Sequence, residues 1–221
     1  MDLEQIKARA EQGVPGATIE LITNPGPSQQ HSLLVDNGHA VAFAQFLRDE
    51  LRFDYCSNVT GVDWPDRTVK KKVKVKKVVE GVEKEVEETQ EEFFAGYLEA
   101  VYHLYSMALK HGPIVMRMRT SNRSEGVHLP SLTGIWRSAE FQEREIFDLY
   151  GIRFDGHPDL RRILMWDEFE DFPMRKDYQE PDDYEYEPTP HDDVLEKAKR
   201  HYAARPQLDG AEKIVATDQH G

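Results

Sequence analysis

Glu143-Arg144-Glu145-Ile146-Phe147-Asp148-Leu149-Tyr150-Gly151-Ile152-Arg153-Phe154-Asp155-Gly156-His157-Pro158-Asp159-Leu160-Arg161-Arg162-Ile163-Leu164-Met165-Trp166 opens the stretch, Glu143 to Tyr178, from which the rest of the chain is read. It mixes charge, aromatics and turn residues, a combination that fits a docking surface better than a core. Ser138 to Tyr150 reads as a short helix, with Ser138 as its N-cap and Gly151 where a left-handed C-cap sits. Phe141, Ile146, Leu149 and Tyr150 share the predicted inward stripe, with Phe147 at its edge. On the other side Glu140, Arg144 and Asp148 follow at i, i+4 spacing, which places Arg144 between two carboxylates. Each such pair stabilises an exposed helix by only ~0.2 to 0.5 kcal/mol, too little to explain the cluster by stability alone.

After Gly151 the chain turns extended through Ile152 and Phe154, breaks at Asp155-Gly156, and reaches the apolar run Ile163 to Trp166. The order Glu143-Arg144-Glu145, two residues, Asp148-Leu149-Tyr150, six residues, His157, three residues, Arg161, one residue, Ile163 is similar to a known signature. It resembles that of the hydrophilic 30-kilodalton subunit of proton-pumping NADH:quinone oxidoreductase, respiratory complex I, which is the C-type subunit of the bacterial enzyme. The flanks Leu129 to Trp136 and Met174-Arg175-Lys176-Asp177-Tyr178 resemble it too. The resemblance is strong over Pro130 to Tyr178, fair over Leu51 to Asn122 and weak at both ends.

A chain of 221 residues holds one ordinary domain and a tail, since domains cluster near ~100 to 150 residues. A net charge of -13 argues against unaided binding to nucleic acid or anionic lipid, both of which need Lys/Arg clusters. No apolar run approaches the ~20 residues of a membrane span, and the start lacks the basic and apolar regions of a signal peptide. The expected place is therefore the cytoplasm, with membrane attachment only through a protein partner. Cys56 is the only cysteine, so an internal disulfide, a thiolate zinc site and an iron-sulfur cluster are not expected.

Leu3 to Ala10 reads as a helix, Ala17 to Ile22 and His31 to Val35 as strands. Asp36 or Asn37 is placed to cap a helix reaching about Leu51, with Val41, Phe43, Ala44 and Leu47 inward. Phe53 to Val62 returns to extended structure. Val69 to Glu92 holds seven Lys and seven Glu, the lysines mostly first. It reads either as a solvated charged loop or, preferably, as a β-hairpin turning at Glu80-Gly81. The hairpin pairs Val79 with Val82, Lys76 with Glu85, Val75 with Val86 and Lys74 with Glu87, each pair contributing ~0.2 to 1 kcal/mol. Tyr97 to Met107 and Pro113 to Thr120 are apolar-rich segments, the second a half-exposed strand by its alternation at Val115 to Arg119.

The predicted fold class is α+β, a two-layer sandwich of a mixed or antiparallel sheet with helices on one face, plus an extended C-terminal tail. Residues 1–178 form the domain, with the charged hairpin as an insertion over 67–92, and 179–221 form an acidic partner-binding tail.

For chemistry, His157 beside Asp155 and Asp159 lacks a second His or Cys at ligand spacing, as do His103 and His128, so a turn histidine is favoured over a metal ligand. Glu143 and Glu145 point roughly 200° apart on a helix of ~3.6 residues per turn and do not converge on one atom. Gly151 to Gly156 lacks the Lys-Ser/Thr of a phosphate loop, and no catalytic triad order is present. No catalytic, cofactor-binding or metal residue is assigned. The readings that remain are structure and interface. Arg161, Arg162 and Arg175 offer fork-shaped donors for partner carboxylates, and Trp166, Phe172 and Tyr178 are of the kind that dominates binding hot spots; the alternative is that they brace their own domain.

The resemblance implies a cofactor-free piece of the peripheral arm, packed beside the quinone-site (49-kDa-type) subunit and neighbouring iron-sulfur subunits. It lies on the cytoplasmic side of the cell membrane, with the tail laid over its neighbours. Electrons would pass from NADH through FMN and Fe-S clusters in other subunits to quinone, driving proton translocation, and this chain would serve assembly and stabilisation. Two alternatives stay open: the matching subunit of a membrane-bound hydrogenase or ferredoxin-fed relative, and a stand-alone adaptor without a redox partner.

Overall fold

In the computed structural model, residues 2–79, 82–167, 169 and 171–179 are described. Helix α1 is Leu3–Gly13, strand β1 Ile19–Ile22, β2 Ser32–Val35, α2 Ala40–Asp49 and β3 Tyr55–Trp64. Then follow β4 Arg67–Val79, β5 Val82–Phe94, β6 Tyr97–Ser106, β7 His111–Arg119, β8 His128–Pro130, α3 Ala139–Tyr150 and β9 Arg153–Asp155. The acidic tail expected after 179 lies outside the described residues.

Strands β1-β2-β7-β6-β3, in that order, make a five-stranded mixed sheet. Only the β2/β7 pair is parallel; the other three pairs are antiparallel. Successive residues of a strand point to opposite faces, and in β6 Leu98, Ala100, Tyr102 and Leu104 are fully buried on one face, while Glu99 and Val101 between them are covered on the other. They share it with Met116 and Met118 of β7, Cys56 and Val59 of β3, and Leu33 and Val35 of β2, through the cross-strand register. Ile6 and Ala10 of α1, Phe43, Ala44 and Leu47 of α2, and Ala139 and Ile146 of α3 join these residues in one apolar cluster. At ~1.5 to 3 kcal/mol for each large side chain removed from water, this cluster is what holds the helices to the sheet. The α+β class with helices on one face follows directly.

The Lys/Glu segment is a β-hairpin with an unbroken antiparallel ladder from Arg67↔Phe94 to Val79↔Val82. The register includes the expected pairs Lys74↔Glu87, Val75↔Val86 and Lys76↔Glu85. The turn expected at Glu80-Gly81 lies outside the described residues. The ribbon forms its own two-stranded sheet, separate from the main one.

Four local expectations are corrected. Helix α2 begins at Ala40 after His39, because the Asp36 carboxylate accepts the His39 backbone N–H at 3.1 Å and closes a turn ahead of it. The resulting inward stripe is Ala40, Phe43, Ala44 and Leu47, at i, i+3, i+4 and i+7, which leaves Val41 outside. In α3 the stripe runs Ala139, Glu143, Ile146 and Tyr150, so Phe141 is turned to solvent with 60% of its surface exposed. Ser138 holds the N-cap position but donates its hydroxyl to the Cys56 carbonyl at 2.8 Å instead of capping the helix. Gly151 does take the left-handed C-cap, with φ 78°. Strand β9 falls in the stretch expected to be extended through Ile152 and Phe154, whereas its parallel partner β8 has no counterpart in the sequence pattern; each strand is only three residues long.

Candidate functional site

Two buried carboxylates of α3 organise the signature. Glu143 faces the sheet and is completely buried. Its Oε1 accepts from the Tyr102 hydroxyl of β6 and from the Leu132 N–H, both at 2.9 Å, and its Oε2 accepts from the Ser131 hydroxyl at 2.6 Å. One acid thus ties the helix to strand β6 and to the loop after β8. Burial raises its carboxyl above the usual range, and these donors recover only part of that.

Asp148 is equally buried but differently served. Its Oδ2 accepts three successive backbone N–H groups, Ile163 at 3.0 Å, Leu164 at 2.7 Å and Met165 at 2.9 Å. Its Oδ1 receives the Arg162 guanidinium at 2.7 Å. Burial alone would raise this carboxyl; the three amides and Arg162 outweigh it and hold it below the ordinary value.

Arg144, expected between Glu140 and Asp148, instead donates to the backbone carbonyls of Arg161 at 3.2 Å and Arg162 at 3.1 Å, with Asp159 at 3.9 Å. Arg144 and Asp148 together therefore clasp residues 161–165, one by its carbonyls and the other by its amides. The imidazole of His157 closes the same loop: Nε2 donates to the Glu140 carbonyl at 2.9 Å, and Nδ1 accepts the Asp159 N–H at 3.1 Å, which fixes the tautomer.

Of the other signature residues, Leu149 and Tyr150 are half-buried and Glu145 is exposed. The Tyr150 ring lies so close to Gly61 of β3 that a Cβ there would sit 2.5 Å from it. Arg161 is 68% exposed in its side chain and pairs with Asp159 at 2.9 Å. Ile163 is 38% exposed. Arg162 stacks near Phe169 and Phe172. Arg175 donates to the carbonyls of Tyr150 at 2.8 Å and Arg123 at 3.0 Å and lies over Phe172. Trp166 meets Phe169 edge-on at 4.8 Å, and Tyr178 lies near the same ring. Arg162, Phe172, Arg175 and Tyr178 are thus engaged with their own chain, while Glu145, Arg161, Ile163 and Leu164 face outward together with Phe141.

Two buried networks go beyond the sequence-based expectations. Asp63 of β3 is held by both arms of Arg123, at 2.6 and 2.8 Å, and by the Lys176 N–H at 2.8 Å. Glu99 of β6, fully buried on the sheet face away from the helices, accepts from Trp64 Nε1 and Arg117 at 2.8 and 2.9 Å and is paired with Arg119. Their one sequence signal is a lone charge inside an otherwise apolar strand, as at Glu99 in Tyr97 to Ser106.

Cys56 is not poised as a nucleophile: burial, with the Glu143 charge next, pushes its thiol up to about 12. Among the described residues no group of three or more His, Cys, Asp or Glu side chains is placed to hold a metal ion, and no helix is long and apolar enough to cross a membrane.

Fold and site define a mixed-sheet α+β protein in which α3 and the loop behind it form one braced unit. The fold is shared, at a TM-score of 0.54 over 95% of this chain and 96% of the other, with a chain in the structure of the membrane-bound sulfane sulfur reductase, an archaeal respiratory membrane complex; the sequences are 19% identical. By sequence, the chain is 40% identical over 141 residues to the C 2 subunit of NADH-quinone oxidoreductase from Rhizobium meliloti, covering 62% of this chain and 60% of that one. It is 36% identical over 156 residues to the C subunit of NADH-quinone oxidoreductase from Hyphomonas neptunium, covering 70% and 62%. The match thus spans about three fifths of the length of these relatives. Residues 33–184 match the family described as respiratory-chain NADH dehydrogenase, 30 Kd subunit, and the chain belongs to that family.

Proposed function

We propose that this chain is a cofactor-free peripheral-arm subunit of a proton-translocating NADH:quinone oxidoreductase. It assembles and stabilises that arm beside the quinone-site subunit and neighbouring Fe-S subunits, on the cytoplasmic side of the membrane. FMN, the Fe-S clusters, NADH and quinone belong to those other subunits, and this chain has no active site of its own. The observation that carries the reading is the family match over 33–184, within which α3 and residues 161–165 are locked into one surface. Rigid presentation of a surface is what an assembly subunit requires, because an interface ordered in advance loses less entropy on binding. Glu145, Arg161 and Ile163 of the signature are its outward members. The 1–178 domain carries this surface, and the acidic tail of 179–221 extends over partners.

The same fold in a chain of a sulfane sulfur reductase structure keeps a second reading in view, an equivalent subunit of a membrane-bound hydrogenase or ferredoxin-fed relative. The 40% identity to a subunit of NADH-quinone oxidoreductase favours the NADH-linked enzyme. Affinity purification of the tagged protein from its native membranes tests both. Co-purification of quinone-reducing activity that is driven by NADH supports the proposal; activity driven by hydrogen or ferredoxin selects the second reading, and recovery as a free monomer overturns both.

A further inference from the structure

We propose that the cavity at the base of the β4–β5 hairpin binds an acidic peptide segment of a partner protein, a carboxylate side chain beside an apolar one. The cavity holds about 340 Å³ and is lined by Trp64, Arg67, Phe94, Tyr97 and Arg119, with Pro65 and Ala95. In a chain of net charge -13 its lining contains two guanidinium groups and no carboxylate.

Both guanidinium groups are laid against aromatic faces, Arg119 4.6 Å from the centre of the Tyr97 ring and Arg67 5.1 Å from that of Phe94. Stacking holds a guanidinium flat and leaves its edge N–H groups as a planar fork, the geometry that takes a carboxylate in a bidentate way. The neighbouring charges do not fully cancel them. Buried Glu99 faces two arginines, Arg117 and Arg119, and Arg67 adds a third cation, while Asp66, whose carboxylate accepts the Gly96 N–H, takes one charge back. Lys70 and Lys71 pair off with Glu91 and Glu92, so the base of the hairpin keeps one net positive charge. The Trp64 ring is itself fixed, since it donates its indole N–H to Glu99.

Size selects the class of ligand. A volume of about 340 Å³ is at the bottom of the ~300 to 1,000 Å³ typical of small-molecule sites, which suits one or two side chains and not a nucleotide or flavin. The aromatic walls favour an apolar neighbour to the carboxylate over a bare inorganic anion. The chemistry of this cavity is independent of which complex the chain joins.

The test uses the full chain and an N-acetylated, C-amidated pentapeptide holding a phenylalanine followed by two glutamates, read by the indole N–H resonance of Trp64. Saturable displacement of that resonance is expected. Arg67→Gln, an exposed position outside the Glu99 network, should weaken binding by about tenfold, as should replacing the two glutamates by glutamines, each removing a charge-assisted pair. Equal binding of the glutamine peptide, or unchanged affinity in the Arg67→Gln protein, overturns the proposal. So does sodium acetate reproducing the whole displacement at the same carboxylate concentration, which would show an anion site only.

Discussion

Glu143 and Asp148 lie five positions apart on α3 and are equally buried, yet their carboxyl groups are shifted in opposite directions. Glu143 meets two hydroxyls and one amide, whereas Asp148 meets three amides and a guanidinium. Neither shows surface to solvent, but Glu143 sits deeper, and its larger loss of hydration outweighs two hydroxyls and one amide; at Asp148 a smaller loss is outweighed by a row of amides and a cation.

For Asp148, replacement by Asn leaves one oxygen for the amide row but removes the charge and turns an NH2 towards the Arg162 guanidinium, and breaking a buried pair of this kind costs ~3 to 5 kcal/mol. In a domain of this size that lowers the melting temperature by roughly 6 to 20 °C. Because the folded value lies below the unfolded value of ~3.9, the wild-type advantage is fully present above pH ~4 and fades as pH falls through the folded value. Thermal melts of both proteins between pH 3 and 7 check this; a difference that does not shrink in acid refutes it.

Glu143→Gln should behave in the opposite sense. The amide oxygen still accepts from Tyr102 and Leu132 and its NH2 donates to Ser131, so stability at pH 7 should stay within ~1 kcal/mol of wild type or rise. Glu143→Ala strands those donors, and each buried donor left unpaired costs ~1 to 3 kcal/mol. The raised folded value means the protonated form fits the fold better. Wild-type stability therefore gains from Glu143 as pH falls from the folded value towards ~4.3 and loses that gain as pH rises back, a slope Glu143→Gln lacks. Equal damage from Gln and Ala would show that charge at Glu143 is itself required.

Arg161→Ala removes a solvent-exposed pair with Asp159, which water and salt screen, so melting of the free chain should barely change. If Arg161 reaches a carboxylate of the quinone-site subunit, loss of that pair costs ~2 to 5 kcal/mol in association, mostly as faster dissociation. Melting of the free chain measured beside the yield of assembled complex separates the two effects. A fall in melting as large as that of Asp148→Asn would assign Arg161 to bracing its own fold.

Excision of Arg67–Phe94, with Asp66 joined to Ala95 through an Asn-Gly turn, should leave the five-stranded sheet intact, because β3 and β6 already pair at Trp64↔Tyr97. Stability within ~2 kcal/mol of wild type is expected from the small dependence of closure entropy on loop length. Loss of cooperative melting would show that the ribbon helps hold the sheet.

These contrasts mark what sequence reasoning can reach. The hairpin is legible to the residue because its register follows from a nearby turn and from Val and Lys/Glu alternation, all local. The α3 cluster misleads because charge at i, i+4 spacing ordinarily means a solvated face. Here the partners of Arg144 and Asp148 are backbone groups of residues 161–165, which advertise nothing in their side chains. The Glu99 and Asp63 networks join residues 18 to 113 positions apart, and no periodicity spans such distances.

The Asp63 latch also bears on how the protein is made. Arg123 follows Asp63 by 60 positions and the Lys176 amide by 113. At ~5 to 20 residues per second of synthesis, the nascent chain carries this acid for roughly 6 to 23 seconds before its last partner is translated. Throughout that interval the end of β3 has an incompletely satisfied carboxylate, and water must serve in place of the missing donor. The five strands of the main sheet all precede Thr120, so their pairing can begin before the Lys176 donor exists, and the Asp63 carboxylate is fully served by protein only once the segment around Lys176 has been added.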